Sequence, residues 1–339
     1  MQSPINACVE SKFLTVRRVQ IDSSHSVADG LPMGKIHSLL ELHGLEETRR
    51  QASLESKIQR YCVDAAHEVM ADEAMSIGIT HSGFAMAALP HKRTAETVWE
   101  RDGGNIKLLI ESGLDKNKNA VGIPYGSMAR MILLYLQTQA VKTKSREVEL
   151  GASMNAWLKA MGIAVGGNTY NAVRDQAKRI SRCRLTFFRS NGREELVSNG
   201  AFIRDAIFPI DNDANQPSLW REVVRLDESF YESLIDHPLP LREVAIRQIS
   251  SKSKAIDIYI WLAYRLHILK DPINISWAAL RGQFGSEYSQ LRGFKRDIIA
   301  PLKLALSVYP EAHVEVDQET GILLYPSPPP VSEKRMIGR

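Results

Sequence analysis

Cysteine is scarce in this chain of 339 residues: Cys8, Cys62 and Cys183 are far apart, and no two form a CxxC pair. An odd, scattered set supports neither a disulfide framework nor a zinc ribbon, and a reducing cytoplasm suits it. The nine histidines include no His-x-His pair, which a rolling-circle nickase needs beside its nucleophilic tyrosine. The closest two, His37 and His43, lack acidic or cysteine companions at ligand spacing. The phosphate-wrapping loop GxxxxGK[ST] is missing as well. Its nearest counterpart, Gly30 to Lys35, is one residue short and is followed by Ile36. No apolar run reaches transmembrane length, and no charged-then-apolar leader follows Met1. The sequence thus argues against an enzyme, and no cofactor, metal or membrane is expected.

What is present looks ordinary until its distribution is read. Hydrophobic residues make up 44% and charged ones 24%, enough for two or three domains with real cores. The net charge is only +4, yet Lys142 to Arg189 holds ten Lys/Arg against three acids. That segment carries +7, leaving −3 for the rest. A basic block in a near-neutral chain is the footprint of a phosphate-backbone binder; the plainer alternative is a solvated charged face.

Residues 1–45 are polar and mixed, and read as a poorly ordered lead-in. Leu54, Ile58, Cys62, Ala65 and Val69 recur at helical spacing, predicting one or two helices over 46–77. TVWERDGGNIKLLIESG alternates on either side of Gly103-Gly104, a hairpin pattern. From Gly122 the chain runs through two similar units, split near His237-Pro238. In the first, a long apolar helix with Met131, Leu134, Tyr135, Thr138 and Val141 leads to a strand at Val148 and Leu150. A helix with Ala156, Trp157 and Met161 follows, then a glycine-rich turn, a basic helix from about Asn168, and a hairpin turning at Asn191-Gly192. In the second, a helix through Ile256 and Ile260 leads to a strand near Ile273 and then the helix of SWAALRGQF. A basic helix around Phe294 and a hairpin over AHVEVDQETGILLYP complete it. Pro301 predicts a kink or break around Asp297–Ala300. Trp157, Trp261 and Trp277 occupy core-like positions.

Helix, strand, helix-turn-helix and hairpin, twice over, give the expected fold class. It is α+β: two tandem winged-helix domains behind a helical, partly disordered N-terminal region. The expected divisions are 1–90, 91–236, 237–330 and a tail over 331–339. The alternative is an unrelated α+β domain with the same element order.

On the first basic helix, Tyr170, Val173, Ala177 and Ile180 share one face, while Asn171, Arg174, Lys178 and Arg182 share the opposite one. Arginine suits guanine and asparagine suits adenine in a major groove. Arg179 belongs to the same basic run, and Arg189 and Arg193 flank the predicted wing. In the second unit Ser289, Arg292, Lys295 and Arg296 are the corresponding candidates. Its segment 284–303 carries only +2, and its wing, Asp317–Thr320, is acidic. Fewer contacts are expected there.

The run GIPYGSMARMILLYLQTQAVKTKSREVELGASMNAWLKAMGI closely resembles the plasmid-encoded RepA replication initiators. The shared features are the Pro-Tyr-Gly turn, the helix with Arg and paired leucines, the Ala-Val-x-Thr-Lys-Ser end and Leu-Gly-x-Ser. The resemblance is clear over roughly 95–225. It implies a cytoplasmic bacterial protein that binds repeated sites (iterons) in double-stranded plasmid origin DNA, recruits host replication proteins such as a helicase or initiator, and often represses its own gene. It further implies monomer–dimer self-association, with the helix after Gly122 and the helices of 46–77 as candidate dimer surfaces. A transcriptional repressor with no replication role needs the same base-reading helices and stays open. A third reading, an interaction scaffold, predicts no salt-dependent duplex affinity.

Overall fold

The computed structural model describes residues 35–53, 57–104, 106–190, 194–205 and 223–332. It opens with α1 (Lys35–Ser53) and α2 (Lys57–Met70), packed on one another around Leu40, Ala52, Val63 and Ala66. α1 is kinked at Gly44, where φ is +72°. The lead-in expected over 1–45 is therefore corrected, because its last eleven residues are helical; the first 34 lie outside the described residues. The other face of α2, with Cys62, Ala65 and Val69, enters the main core.

Next come β1 (Ile77–His81), the short α3 (Gly83–Met86), and β2 (Val98–Asp102) paired antiparallel with β3 (Ile106–Glu111). The hairpin expected at Gly103-Gly104 is present. α4 (Gly126–Thr143) is apolar on nearly every side and lies at the centre of the molecule, touching β1 on one flank and packing against later helices on the others. A helix without a polar face has to be enclosed. It therefore has no free face to offer a second copy, which corrects its reading as a dimer surface.

The first helix-turn-helix follows: β4 (Glu147–Glu149), α5 (Met154–Ala160), α6 (Gly167–Ile180), β5 (Arg184–Ser190) and β6 (Glu195–Ala201). β7 (Ile203–Asp205), β8 (Val223–Leu226) and α7 (Glu228–Asp236) lead on to β9 (Pro238–Arg242) and α8 (Glu243–Gln248). α9 (Ser253–Arg265) then runs into a 3-10 turn. The second helix-turn-helix comprises β10 (Ile273–Ser276), α10 (Trp277–Phe284) and α11 (Leu291–Ser307), closed by β11 (Val314–Asp317) and β12 (Gly321–Leu324).

The sheets connect the two units in ways the element order does not announce. β10, β12 and β11 form a three-stranded sheet in that order, local to the second unit. In the first unit the hairpin β5–β6 joins β3 and β2 instead, giving the order β2-β3-β5-β6, while β4 pairs with β8. β9, at the position read as a boundary, pairs antiparallel with β1, Ile77 opposite Arg242 and His81 opposite Pro238. Two simple units therefore do not account for every element from Gly122 to Pro326: α7, β7, β8 and β9 fall outside that plan.

One hydrophobic core runs from Cys62 to Leu324, with Trp157, Trp261 and Trp277 inside it. A buried ion pair is set within it between α4 and α9. Arg130 donates from Nε and Nη2 to the two oxygens of Asp257 at 2.6 Å each, and its remaining hydrogens go to the carbonyls of Leu89, Pro90 and Gly126. Burial pushes the Asp257 carboxyl up, against the pull of Arg130. α11 runs unbroken through Pro301, correcting the expected break. Proline forfeits one backbone hydrogen bond, but Ile298, Leu302, Leu304 and Leu306 anchor the helix on both sides of it.

Candidate nucleic-acid interface

α5 begins at Ser153, whose side chain accepts from the Ala156 amide at 3.2 Å, an N-cap expected of serine. Its buried Trp157 and Leu158 fix it to the core. α6 is seated by Val173 and Ile180, and the Tyr170 hydroxyl donates to Asn155 across the turn. Gln176 accepts from the Tyr125 amide at 2.8 Å. With that face committed, Asn171, Arg174 and Lys178 stand exposed in a row.

The remaining sequence candidates separate. Arg179 is buried: it donates to Asp175 at 2.9 Å and to the Ile123 carbonyl at 3.3 Å, over the Tyr125 ring. It braces α6 from behind, which removes it as a DNA contact. Arg182 is half-buried, 3.5 Å from the Leu114 carbonyl. Arg189 is corrected too. Strand alternation puts it on the same face as buried Leu185 and Phe187, so it turns inward and donates to Ser233 at 3.2 Å beside His81. Burial lowers its pKa. Arg193 and the Asn191-Gly192 turn lie outside the described residues.

Around Arg189, His81 is stacked on Phe187 with centroids 5.0 Å apart. Its Nδ1 accepts from the Gly83 amide at 2.9 Å, so the proton sits on Nε2, which reaches Ser233 at 2.9 Å. Burial, then Arg189 and His237, lower its pKa to about 3. This neutral histidine is packing.

In the second unit Ser289, Arg292 and Arg296 are exposed on and before α11. Arg296 is paired with Asp297 at 2.9 Å, and Lys295 is half-buried, donating to the Gln318 carbonyl at 2.9 Å and lying over the Trp277 ring. Lys295 thus ties the helix to the acidic turn between β11 and β12. The end of α10 and the turn after it are docked on β2 and α3: Arg101 donates to Ser286 at 2.5 Å, and Gln283 to the Met86 carbonyl at 2.6 Å.

Residues 123–278 match the family model described as plasmid encoded RepA protein. The match begins later than the resemblance read from the sequence and ends later too. It takes in the first helix-turn-helix, β9 and α9, but stops before α11. The chain is also similar to two crystal structures of domains 2 and 3 of RctB, one of them a selenomethionine derivative. The derivative is 14% identical over 74% of this chain and 99% of its own, with a TM-score of 0.47; the other is 15% identical over 71% and 94%, with a TM-score of 0.45. No curated protein matches.

The most telling residues of the RepA segment lie behind the exposed stripe. Tyr125 and Gly126 hold Gln176 and Pro90, Arg130 holds Asp257, and Ser153 caps α5. Among the described residues no three His, Cys, Asp or Glu are grouped to hold a metal, and no helix is long and apolar enough to cross a membrane.

Proposed function

We propose that this chain is a plasmid replication initiator that places α6 in the major groove of repeated duplex sites at the plasmid origin. The observation that carries this reading is the row Asn171, Arg174 and Lys178, exposed on a braced helix inside the RepA-matching segment. The rise from Asn171 to Lys178 is about 10 Å at 1.5 Å per residue, against a major groove about 12 Å wide. Arg174 reads a guanine edge and Asn171 an adenine edge, while Lys178 meets phosphate.

The second unit supports the reading by its topology. The strand order β10-β12-β11 around α10 and α11 is that of a winged helix, and Arg292 and Ser289 lie on the outward face. Two such units engaging successive groove faces span about 20 base pairs. The first unit is a winged helix whose hairpin has been recruited into a larger sheet. The protein acts by binding, bending DNA and recruiting host replication proteins to it, and it represses its own gene.

The test is maintenance of a plasmid that carries the origin but lacks this gene. Maintenance is expected only when the protein is supplied in trans. Loss despite supply, together with intact repression of its own promoter, would leave a repressor and overturn the initiator reading.

A further inference from the structure

Between β3 and α4 the segment 112–121, SGLDKNKNAV, forms a compact loop closed by a bridge between Leu114 and Ala120. Asp115 organises it. One carboxylate oxygen accepts from the amides of Asn117 at 2.8 Å and Asn119 at 2.9 Å, and the Asp115 amide donates to the Asn119 carbonyl at 2.8 Å. Lys118 completes the turn in the left-handed region, with φ +64°. The loop is fastened to the C-terminal end of α6. Gly113 lies so close to Arg182 that a Cβ would collide with its carbonyl oxygen, a place only glycine fits. The Arg182 guanidinium reaches the Leu114 carbonyl from the other side. Lys178 is near enough to add to the hydrogen bonds that hold the Asp115 carboxyl below its usual range.

Lys116 and Lys118 project from this braced turn, exposed and, among the described residues, without an acidic partner. Their position follows from Lys178. With Asn171 and Arg174 over base edges, Lys178 is already at the rim of the groove, and a loop touching that end of the helix sits over the neighbouring phosphate strand. We infer that loop 112–120 is a phosphate clamp of the first unit, with Lys116 and Lys118 gripping the backbone beside the groove that α6 enters. It supplies the sequence-independent grip that buried Arg179 and inward-facing Arg189 do not. The inference rests on the placement of α6 proposed above.

The test uses the full chain carrying Lys116→Ala with Lys118→Asn, since asparagine tolerates the left-handed position. Affinity is measured from 50 to 200 mM salt on two probes, a duplex from the origin of the encoding plasmid and a random duplex of equal length. Each phosphate that is no longer neutralised lowers the slope of log K against log salt by about 0.9, so a fall of about 2 is expected. Affinity should drop by the same factor on both probes, about tenfold or more at the lower salts. Lys116→Arg with Lys118→Arg should restore the slope. An unchanged slope, while Arg174→Ala still weakens origin binding, overturns the clamp and leaves α6 in the groove. Unchanged binding in the loop variant and in Arg174→Ala overturns both.

Discussion

In the first helix-turn-helix, α6 presents Asn171, Arg174 and Lys178 exposed and, among the described residues, outside any ion pair, Lys178 feeling only the nearby Asp115 carboxyl; in the second, α11 presents Arg292 exposed but shares Arg296 with Asp297 and ties Lys295 to the turn between β11 and β12. The contrast is one of available charge, which differs from charge in the sequence. Of the ten basic residues from Lys142 to Arg189, Lys142, Lys144, Lys159, Arg174, Lys178 and Arg184 stand exposed, while Arg146, Arg179, Arg182 and Arg189 are buried or half-buried against protein partners. A basic block serves two purposes here: four of its residues hold the unit together and six face outward.

The largest expected effect probes what the two units share. Arg130 and Asp257 join α4 to α9, and a buried charge left alone costs about 3–5 kcal/mol. Arg130→Ala should lower stability by that much in a denaturant titration and unfold both units in one transition. Two separate transitions would show that the units are independent and that the continuous core does not couple them.

Acid should act next, through two histidines that precede both units. His81 has its pKa lowered to about 3 and His91 to about 2, in each case chiefly by burial. Both take up protons in the unfolded chain near pH 6.5 and resist them when folded. Their stabilisation is therefore complete above pH 6.5 and is lost progressively as pH falls toward the folded values. At pH 5 each has cost about 2 kcal/mol relative to neutral pH. His81→Gln keeps a donor and an acceptor, so its urea midpoint should fall less than that of wild type between pH 7.5 and 5. An identical fall would show that His81 does not carry the pH dependence.

Much of the fold is legible in the sequence because period and punctuation agree over long stretches. The hairpin at Gly103-Gly104, the stripe on α6 and the β11–β12 hairpin all follow from local rules. The failures are non-local. Nothing in Pro238–Arg242 announces a partner at Ile77–His81, and strand pairing across 160 residues leaves no periodic trace. Arg179, taken from the basic run, and Arg189, taken from the expected wing, are misplaced for a related reason: a run of charge does not show which cation finds Asp175 or Ser233. Arg189 is recoverable, since Leu185 and Phe187 set the buried side of β5. Pro301 misleads because tertiary packing on either side outweighs one missing hydrogen bond.

The DNA predictions come last in size and separate the two units within the intact chain, where one core joins them. Arg174→Ala with Lys178→Ala should weaken binding to origin duplex by about 1–3 kcal/mol beyond any loss on random duplex, one good base pairing being worth that much. Arg292→Ala with Arg296→Ala should cost less, about 1 kcal/mol or under for a partly neutralised pair, because Asp297 already holds Arg296. A larger loss from the second pair would reverse the comparison and make α11 the principal reading helix.

The most direct test of α6 as the principal DNA-reading element is a footprint of the full chain on origin duplex, wild type against Arg174→Ala with Lys178→Ala. Protection of about 20 base pairs across two successive groove faces is expected for wild type, with the α6 half absent in the variant and the other half weakened. Full protection across both halves in the variant, at unchanged protein concentration, would contradict it.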